Sequence, residues 1–167
     1  MYKPFPVISI EGDAHECGLQ HGTAAAERVA KTIAYYLPAF ERTAKLSRDA
    51  IHTRARAYGV QIEKIDAGIY AELKGIAAGA KQSLEDVVAV NCRTELLYGS
   101  LGGTKPATEC TTVVALPEAT RDGNMLVGKN WDWPSPAVES VLVLRIRQNG
   151  KPARARDGSD GMVGPDG

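Results

Sequence analysis

An α+β domain is the fold class this sequence predicts, on three observations. Apolar residues recur at helical spacing through roughly the first hundred positions, strand-like apolar runs follow after position 110, and the two patterns do not alternate. Helices first and strands later argue for packed layers rather than a doubly wound parallel sheet. A length of 167 residues with 44% hydrophobic content suits one domain with its own core.

The elements follow in order. Val7 to Ile10 reads as a short strand closed by a Gly12-Asp13 turn. A helix is expected from about His15 to Arg42, with Ala26, Val29, Ile33, Leu37 and Phe40 as its buried stripe. Gly18 and Gly22 near its start each cost roughly 1 kcal/mol of helix propensity, which close packing or substrate access there would explain. Ser47 and Asp49 offer an N-cap for a short helix ending at Gly59. Ile65, Ile69, Leu73 and Ile76 share one face of a third helix reaching Ala80. Ser83 caps a fourth, with Asn91, Arg93 and Glu95 near its far end, and Gly99 to Thr108 reads as a loop.

The strand-rich part begins at Glu109-Cys110. Thr111 to Leu116 is a β-branched run, Asp122-Gly123 is a preferred hairpin dipeptide, and a second apolar strand ends in Asn130-Trp131-Asp132-Trp133. Pro134 and Pro136 break the chain, and Ser140 to Gln148 forms a third strand, with Leu142, Leu144 and Ile146 on one face and Arg145 and Arg147 on the other. From Lys151 onward only Met162 and Val163 can be buried, so the tail is expected to be disordered.

Charge and cysteine content narrow the function classes. Lys+Arg and Asp+Glu are both 20, which leaves no electrostatic footprint for nucleic acid or an anionic membrane. Three cysteines without a C-x-x-C pair favour reduced thiols over a disulfide framework, and no apolar run approaches a membrane span, so the cytoplasm is the expected compartment. No metal site is expected, because cysteines and histidines lack ligand spacing.

Cys110 is the candidate nucleophile. A cysteine attacks as its thiolate and therefore needs a base or a lowered pKa. His15, His21 and His52 lie far upstream, and no motif marks one of them as that base. The other candidate base is an α-amino group, with a reference pKa of about 7.7–8.0, which Cys110 would own if the Glu109–Cys110 bond were cut. A small core residue is the competing reading of the same cysteine. A two-residue turn at Asp122-Gly123 would set Cys110 opposite Ser135 and Asp132 opposite Val113, on opposite faces of the sheet. Bringing the two side chains together calls for a bulge or a longer loop, with Pro117 the expected place; an unbroken ladder with them on opposite faces would count against the pair.

Five blocks resemble the acyl-coenzyme A:6-aminopenicillanic acid acyltransferase family, the peptidase C45 group of N-terminal nucleophile (Ntn) hydrolases. They are G-L-Q-H-G-T-A-A (Gly18 to Ala25), E-L-K-G-I-A-A-G-A (Glu72 to Ala80), N-C-R-T-E-L-L-Y-G (Asn91 to Gly99), E-C-T-T (Glu109 to Thr112) and G-K-N-W-D-W (Gly128 to Trp133). The resemblance implies a precursor that cleaves itself between Glu109 and Cys110. Residues 1–109 would then be a helical pro-segment or α-chain, 110–150 the start of the catalytic β-chain, and 151–167 a disordered or truncated tail.

Cys110 matches the family's nucleophile and Asp132 its catalytic aspartate, which would orient the freed amine. Arg93, Glu95, Thr111, Asn130 and Trp131 are the supporting or substrate-binding candidates; a structural ion pair for Arg93 and Glu95, and core packing for Trp131 and Trp133, are the plainer readings. The implied fold is an αββα sandwich, here partial. Too few residues follow Glu109 to supply the second sheet and the distal oxyanion-hole asparagine, so the chain is expected to be a fragment, inactive alone.

The implied activity is acyl transfer or amide hydrolysis on acyl-amide or acyl-thioester substrates, with no cofactor and acyl-CoA as a candidate substrate. The expected partners are a small acyl donor, an amine acceptor or water, and the cleaved second chain or a missing C-terminal half. Two alternatives stay open: a cysteine Ntn amidase of the bile-salt hydrolase or penicillin V acylase type, and a non-catalytic module whose cysteine is merely buried.

Overall fold

The structure, a computed structural model, describes residues 5–99, 110–132 and 135–159. Strand β1, Val7–Gly12, leads through Gly12 at φ +126° into helix α1, Ala14–Ala24. A capping box sets the start of that helix: the Asp13 carboxylate accepts from the Glu16 amide at 2.8 Å, and the Glu16 carboxylate accepts from the Asp13 amide at 2.8 Å.

The single helix expected from His15 to Arg42 is two. It breaks at Ala25 (φ −117°, ψ 20°), and α2 runs Ala26–Thr43. The alanine run carries no stop signal, so local propensity cannot produce the break. Packing can, because the two helices answer to different partners. The stripe Val29, Ile33, Tyr36, Leu37 and Phe40 of α2 enters the main helical core. Helix α1 instead lies against α4, Ala67–Ala80, backbone to backbone.

Glycines make that second contact. A Cβ added at Gly18 would stand 2.1 Å from the Glu72 carbonyl oxygen, and one at Gly22 would stand 2.3 Å from that of Ile76. From the other side, Gly75 would meet the His15 oxygen and Gly79 the Leu19 oxygen, each at 2.3 Å. Close packing is therefore what Gly18 and Gly22 are for, and their low helix propensity is offset by an approach no side chain permits.

Helix α3, Arg48–Ile65, is capped by Ser47, whose hydroxyl accepts from the Ala50 amide at 3.2 Å. It continues past Gly59, where the sequence reading ended it. Gly59 is a packing site, with an added Cβ only 3.1 Å from the Tyr70 ring. Asp66 caps α4 through the Gly68 and Ile69 amides at 2.7 and 3.1 Å. Ser83 caps α5, Leu84–Asn91, and the chain kinks at Cys92 into α6, Arg93–Tyr98.

The described strands form two separate sheets. Strand β4, Val141–Gln148, does not extend the hairpin. It pairs parallel with β1 (Val7 opposite Val143) and antiparallel with β5, Arg154–Ser159. Leu142, Leu144 and Ile146 are buried with Ile10, Cys17 and Ala25 between this sheet and α1, while Arg145 and Arg147 face solvent as their alternation predicts. The expectation of a structureless tail fails for Arg154–Ser159, because that segment satisfies the open edge of β4 through backbone bonds that need no apolar side chain. Residues 160–167 lie outside the described residues.

The β1–β4 ladder ties residues on the two sides of the Glu109–Cys110 junction into one sheet. Arg28 of α2 adds a second tie, donating from Nη1 to the Glu139 carbonyl and to the Val141 carbonyl at 3.0 Å. Cutting the chain at that junction is expected to leave the two pieces bound together through size-exclusion chromatography; separation without denaturant would contradict this packing.

Candidate active site

The second sheet is the hairpin. Strand β2, Cys110–Ala115, pairs antiparallel with β3, Leu126–Trp131, in an unbroken ladder running from Cys110 opposite Trp131 to Ala115 opposite Leu126. The connection is long. It holds a 3-10 turn at Pro117–Ala119 and a bend at Asp122-Gly123, where Gly123 takes φ +69°. The Asp122 carboxylate accepts from the Asn124 amide at 3.3 Å and from its side-chain Nδ2 at 2.9 Å, and these bonds hold its pKa below the ordinary value.

A longer loop starting at Pro117 is thus present, and it moves the register by an even number of residues. Faces are therefore unchanged. Asp132, just beyond β3, shares a face with Asn130, whose Nδ2 donates to Asp132 Oδ1 at 2.9 Å, and Asn130 stands opposite Thr111. The two-residue period sends the Cys110 side chain to the other face with its partner position, Trp131. What the hairpin assembles on one face is Thr111, Asn130 and Asp132, and the sulfur is not among them; this unbroken ladder with the two side chains on opposite faces counts against the expected Cys110–Asp132 side-chain pair. Glu109 and Trp133 lie outside the described residues.

The three thiols occupy different settings. Cys110 is exposed at the head of β2. Cys17 is buried between α1 and the first sheet, its thiol directed at the Gly12 carbonyl at 3.7 Å. Burial, and then the Glu95 carboxylate, push the Cys92 thiol up from 9.0 to about 11. The neutral thiol of Cys92 therefore favours the folded state below pH 9.0, and that contribution is lost as pH climbs through about 11. Iodoacetamide at pH 8 is expected to modify Cys110 first in the folded chain. Faster labelling of Cys92 or Cys17, read by peptide mass, would contradict the exposure order.

Arg93 and Glu95 sit on α6, in the helical layer. The Arg93 guanidinium carbon lies 6.0 Å from the centroid of the Tyr36 ring, and Glu95 is exposed beside a shallow cleft formed with Arg54 and Tyr58. Tyr36 was missed as a neighbour of Arg93; its place on the buried stripe of α2 was the available signal. His52 is engaged by Asp86 at 2.9 Å and His21 is buried, so both belong to the helical layer.

A mixed helix and strand protein, with an exposed cysteine heading one strand and an asparagine–aspartate pair at the end of its neighbour, is what these residues define. The chain is similar to the acyl-coenzyme A:6-aminopenicillanic-acid-acyltransferase 40 kDa form of Emericella nidulans, 29% identical over 157 residues. That likeness covers 94% of this chain and 42% of the relative, so the chain spans about two fifths of the relative's length. No protein-family model matches the chain. The relative is an acyltransferase by name, and the resemblance read from the five sequence blocks agrees with it.

Proposed function

We propose that this chain carries the nucleophile-bearing part of a cysteine Ntn acyltransferase or amidohydrolase, activated by cleavage between Glu109 and Cys110. The observation that carries the reading is the exposed Cys110 at the head of β2, one residue out of step with the Asn130–Asp132 pair at the end of β3. In the precursor, the thiol attacks the Glu109 carbonyl, the peptide nitrogen leaves as the amine of Cys110, and water cleaves the resulting thioester. In the mature protein that amine accepts the thiol proton as sulfur attacks an acyl carbonyl, and returns it to the departing amine or thiol.

The opposite-face geometry bears on the role of Asp132. On this reading its carboxylate acts on the freed amine of residue 110, whose backbone lies between the two faces, rather than on the sulfur. By Coulomb attraction it favours the charged amine, and the bond from Asn130 holds it in one orientation.

Both faces of the hairpin carry uncovered apolar side chains, with Val113 65% and Val127 63% exposed. An isolated two-stranded hairpin is marginal in water. In a protein of the relative's length, further chain would cover these faces and supply oxyanion donors, with a small acyl donor, an amine or water as partners and the cytoplasm as compartment. Among the described residues no helix is long and apolar enough to cross a membrane.

The test is acyl capture. A protein of the relative's length, incubated with acyl-coenzyme A or an acyl amide and quenched in acid, is expected to carry the acyl mass on the peptide beginning at Cys110. Turnover with acyl groups found on another residue would overturn the assignment.

A further inference from the structure

We infer that Asn149, in the turn between β4 and β5, is a site of spontaneous deamidation whose isoaspartyl product loosens the end of the β1–β4 ladder, independent of the Cys110 chemistry. The chain has four asparagines, and only Asn149 is followed by glycine. The fold sets it apart as well. Asn91 donates its side-chain amide to the Val87 carbonyl, Asn124 to the Asp122 carboxylate and Asn130 to the Asp132 carboxylate, each at 2.9 Å. The Asn149 side chain is exposed and makes no hydrogen bond among the described residues.

The turn leaves the reacting groups in the open. The Lys151 amide donates to the Gln148 carbonyl at 3.1 Å and closes the turn, with Gly150 at φ +75° inside it. The Gly150 amide has no partner among the described residues, and a Cβ there would meet nothing within 4 Å, so no neighbour shields the nitrogen. That nitrogen, giving its proton to hydroxide, attacks Asn149 Cγ; the side-chain nitrogen leaves as ammonia and a succinimide ring remains. Water then opens one of the ring's C–N bonds. Opening at Cγ leaves aspartate in an ordinary backbone, whereas opening at the main-chain carbonyl leaves isoaspartate, with the backbone running through Cβ and Cγ. Asp122-Gly123 is the internal comparison. Its bonds from Asn124 hold the carboxyl below its ordinary pKa, and an ionised carboxylate resists attack by nitrogen.

Isoaspartate adds one atom to the main chain between two anchored amides. The Asn149 amide donates to the Gly12 carbonyl at 2.8 Å, where β1 turns into α1, and the Lys151 amide holds Gln148. A longer link cannot keep both bonds in line. The product also brings a carboxylate into an open cleft already lined by Glu11 and Glu16, alongside Arg147. Deamidation therefore acts on the seam that joins the two sides of the Glu109–Cys110 junction.

Ageing of the chain at pH 8, followed by tryptic peptide mapping, is the test. Peptide 148–154 is expected to gain about 1 Da and to elute as aspartyl and isoaspartyl forms, while the peptides carrying Asn91, Asn124 and Asn130 keep their mass. Because the turn is open, the rate in the folded chain should lie within about tenfold of that in the free peptide 148–154. Asn149→Gln should stay intact, since its longer side chain closes a larger ring far more slowly, and should unfold at the same urea concentration as the fresh chain. In the isoaspartyl form the amide of residue 149 should exchange with deuterium faster than in the fresh chain. No mass gain at 148–154, an earlier gain at another asparagine, or a rate more than about tenfold below the free peptide's would overturn the site. Unchanged exchange at residue 149 in the isoaspartyl form would overturn the loosening.

Discussion

Valine at Gly18 or Gly75 is expected to lower stability by about 3 kcal/mol or to prevent folding altogether, the largest structural effect in the chain. The Cβ of either residue would fall inside the van der Waals radius of a backbone oxygen on the facing helix, 2.1 Å for Gly18 and 2.3 Å for Gly75. Backbone cannot rotate aside as a side chain can, so the two helices must separate along their length. Separation would also loosen Cys17 and Ala25 from Ile10 and Leu142, carrying the strain into the first sheet. Gly128→Ala is the control, since a Cβ there meets nothing within 4 Å. Urea unfolding followed by circular dichroism should show a large fall in midpoint for the first two and almost none for the third. Similar midpoints for all three would mean that α1 and α4 do not lie as close as described.

Asparagine at Asp132 is expected to lower kcat/KM about a hundredfold in a protein of the relative's length, the scale of a lost acid–base arrangement. Its effect on pH dependence is more telling than its size. In the proposed mechanism the carboxylate favours the charged form of the Cys110 amine, and the amine accepts the thiol proton only when neutral. Removing the carboxylate should lower the amine's pKa, so the rise in rate should move to lower pH even as the rate itself falls. Asn130→Ala, which frees the carboxylate without removing it, should show a smaller loss with no change in the sign of charge. An unchanged pH profile in Asp132→Asn would mean that the carboxylate does not act through the amine.

The helical layer was legible where local chemistry decides, as at Ser47 and Ser83. It was illegible where tertiary contact decides. The break at Ala25 has no propensity signal, and Gly59 looks like a terminus until Tyr70 is seen against it. The burial pattern of β4 follows from alternation alone, whereas its parallel partner β1 lies far away in sequence and leaves no local trace. Strand β5 was missed because its stabilisation lies in backbone pairing.

The candidate site divides in the same way. A bend at Asp122-Gly123 and a longer connection around Pro117 were readable from residue types, but that connection does not bring Cys110 and Asp132 to one face as expected of it. The register was not, and parity alone could show that Cys110 and Asp132 part to opposite faces. That separation counts against a direct pair of thiol and carboxylate, so the proposed mechanism rests on the nitrogen of residue 110 and requires it to be a free amine.

Intact-mass measurement of a purified protein of the relative's length tests this requirement most directly. The account predicts two chains divided between Glu109 and Cys110, held together under native conditions, and a single uncut chain when Cys110 is replaced by alanine. Efficient acyl transfer by a chain whose 109–110 bond is intact, or cleavage that persists without the sulfur, would contradict it.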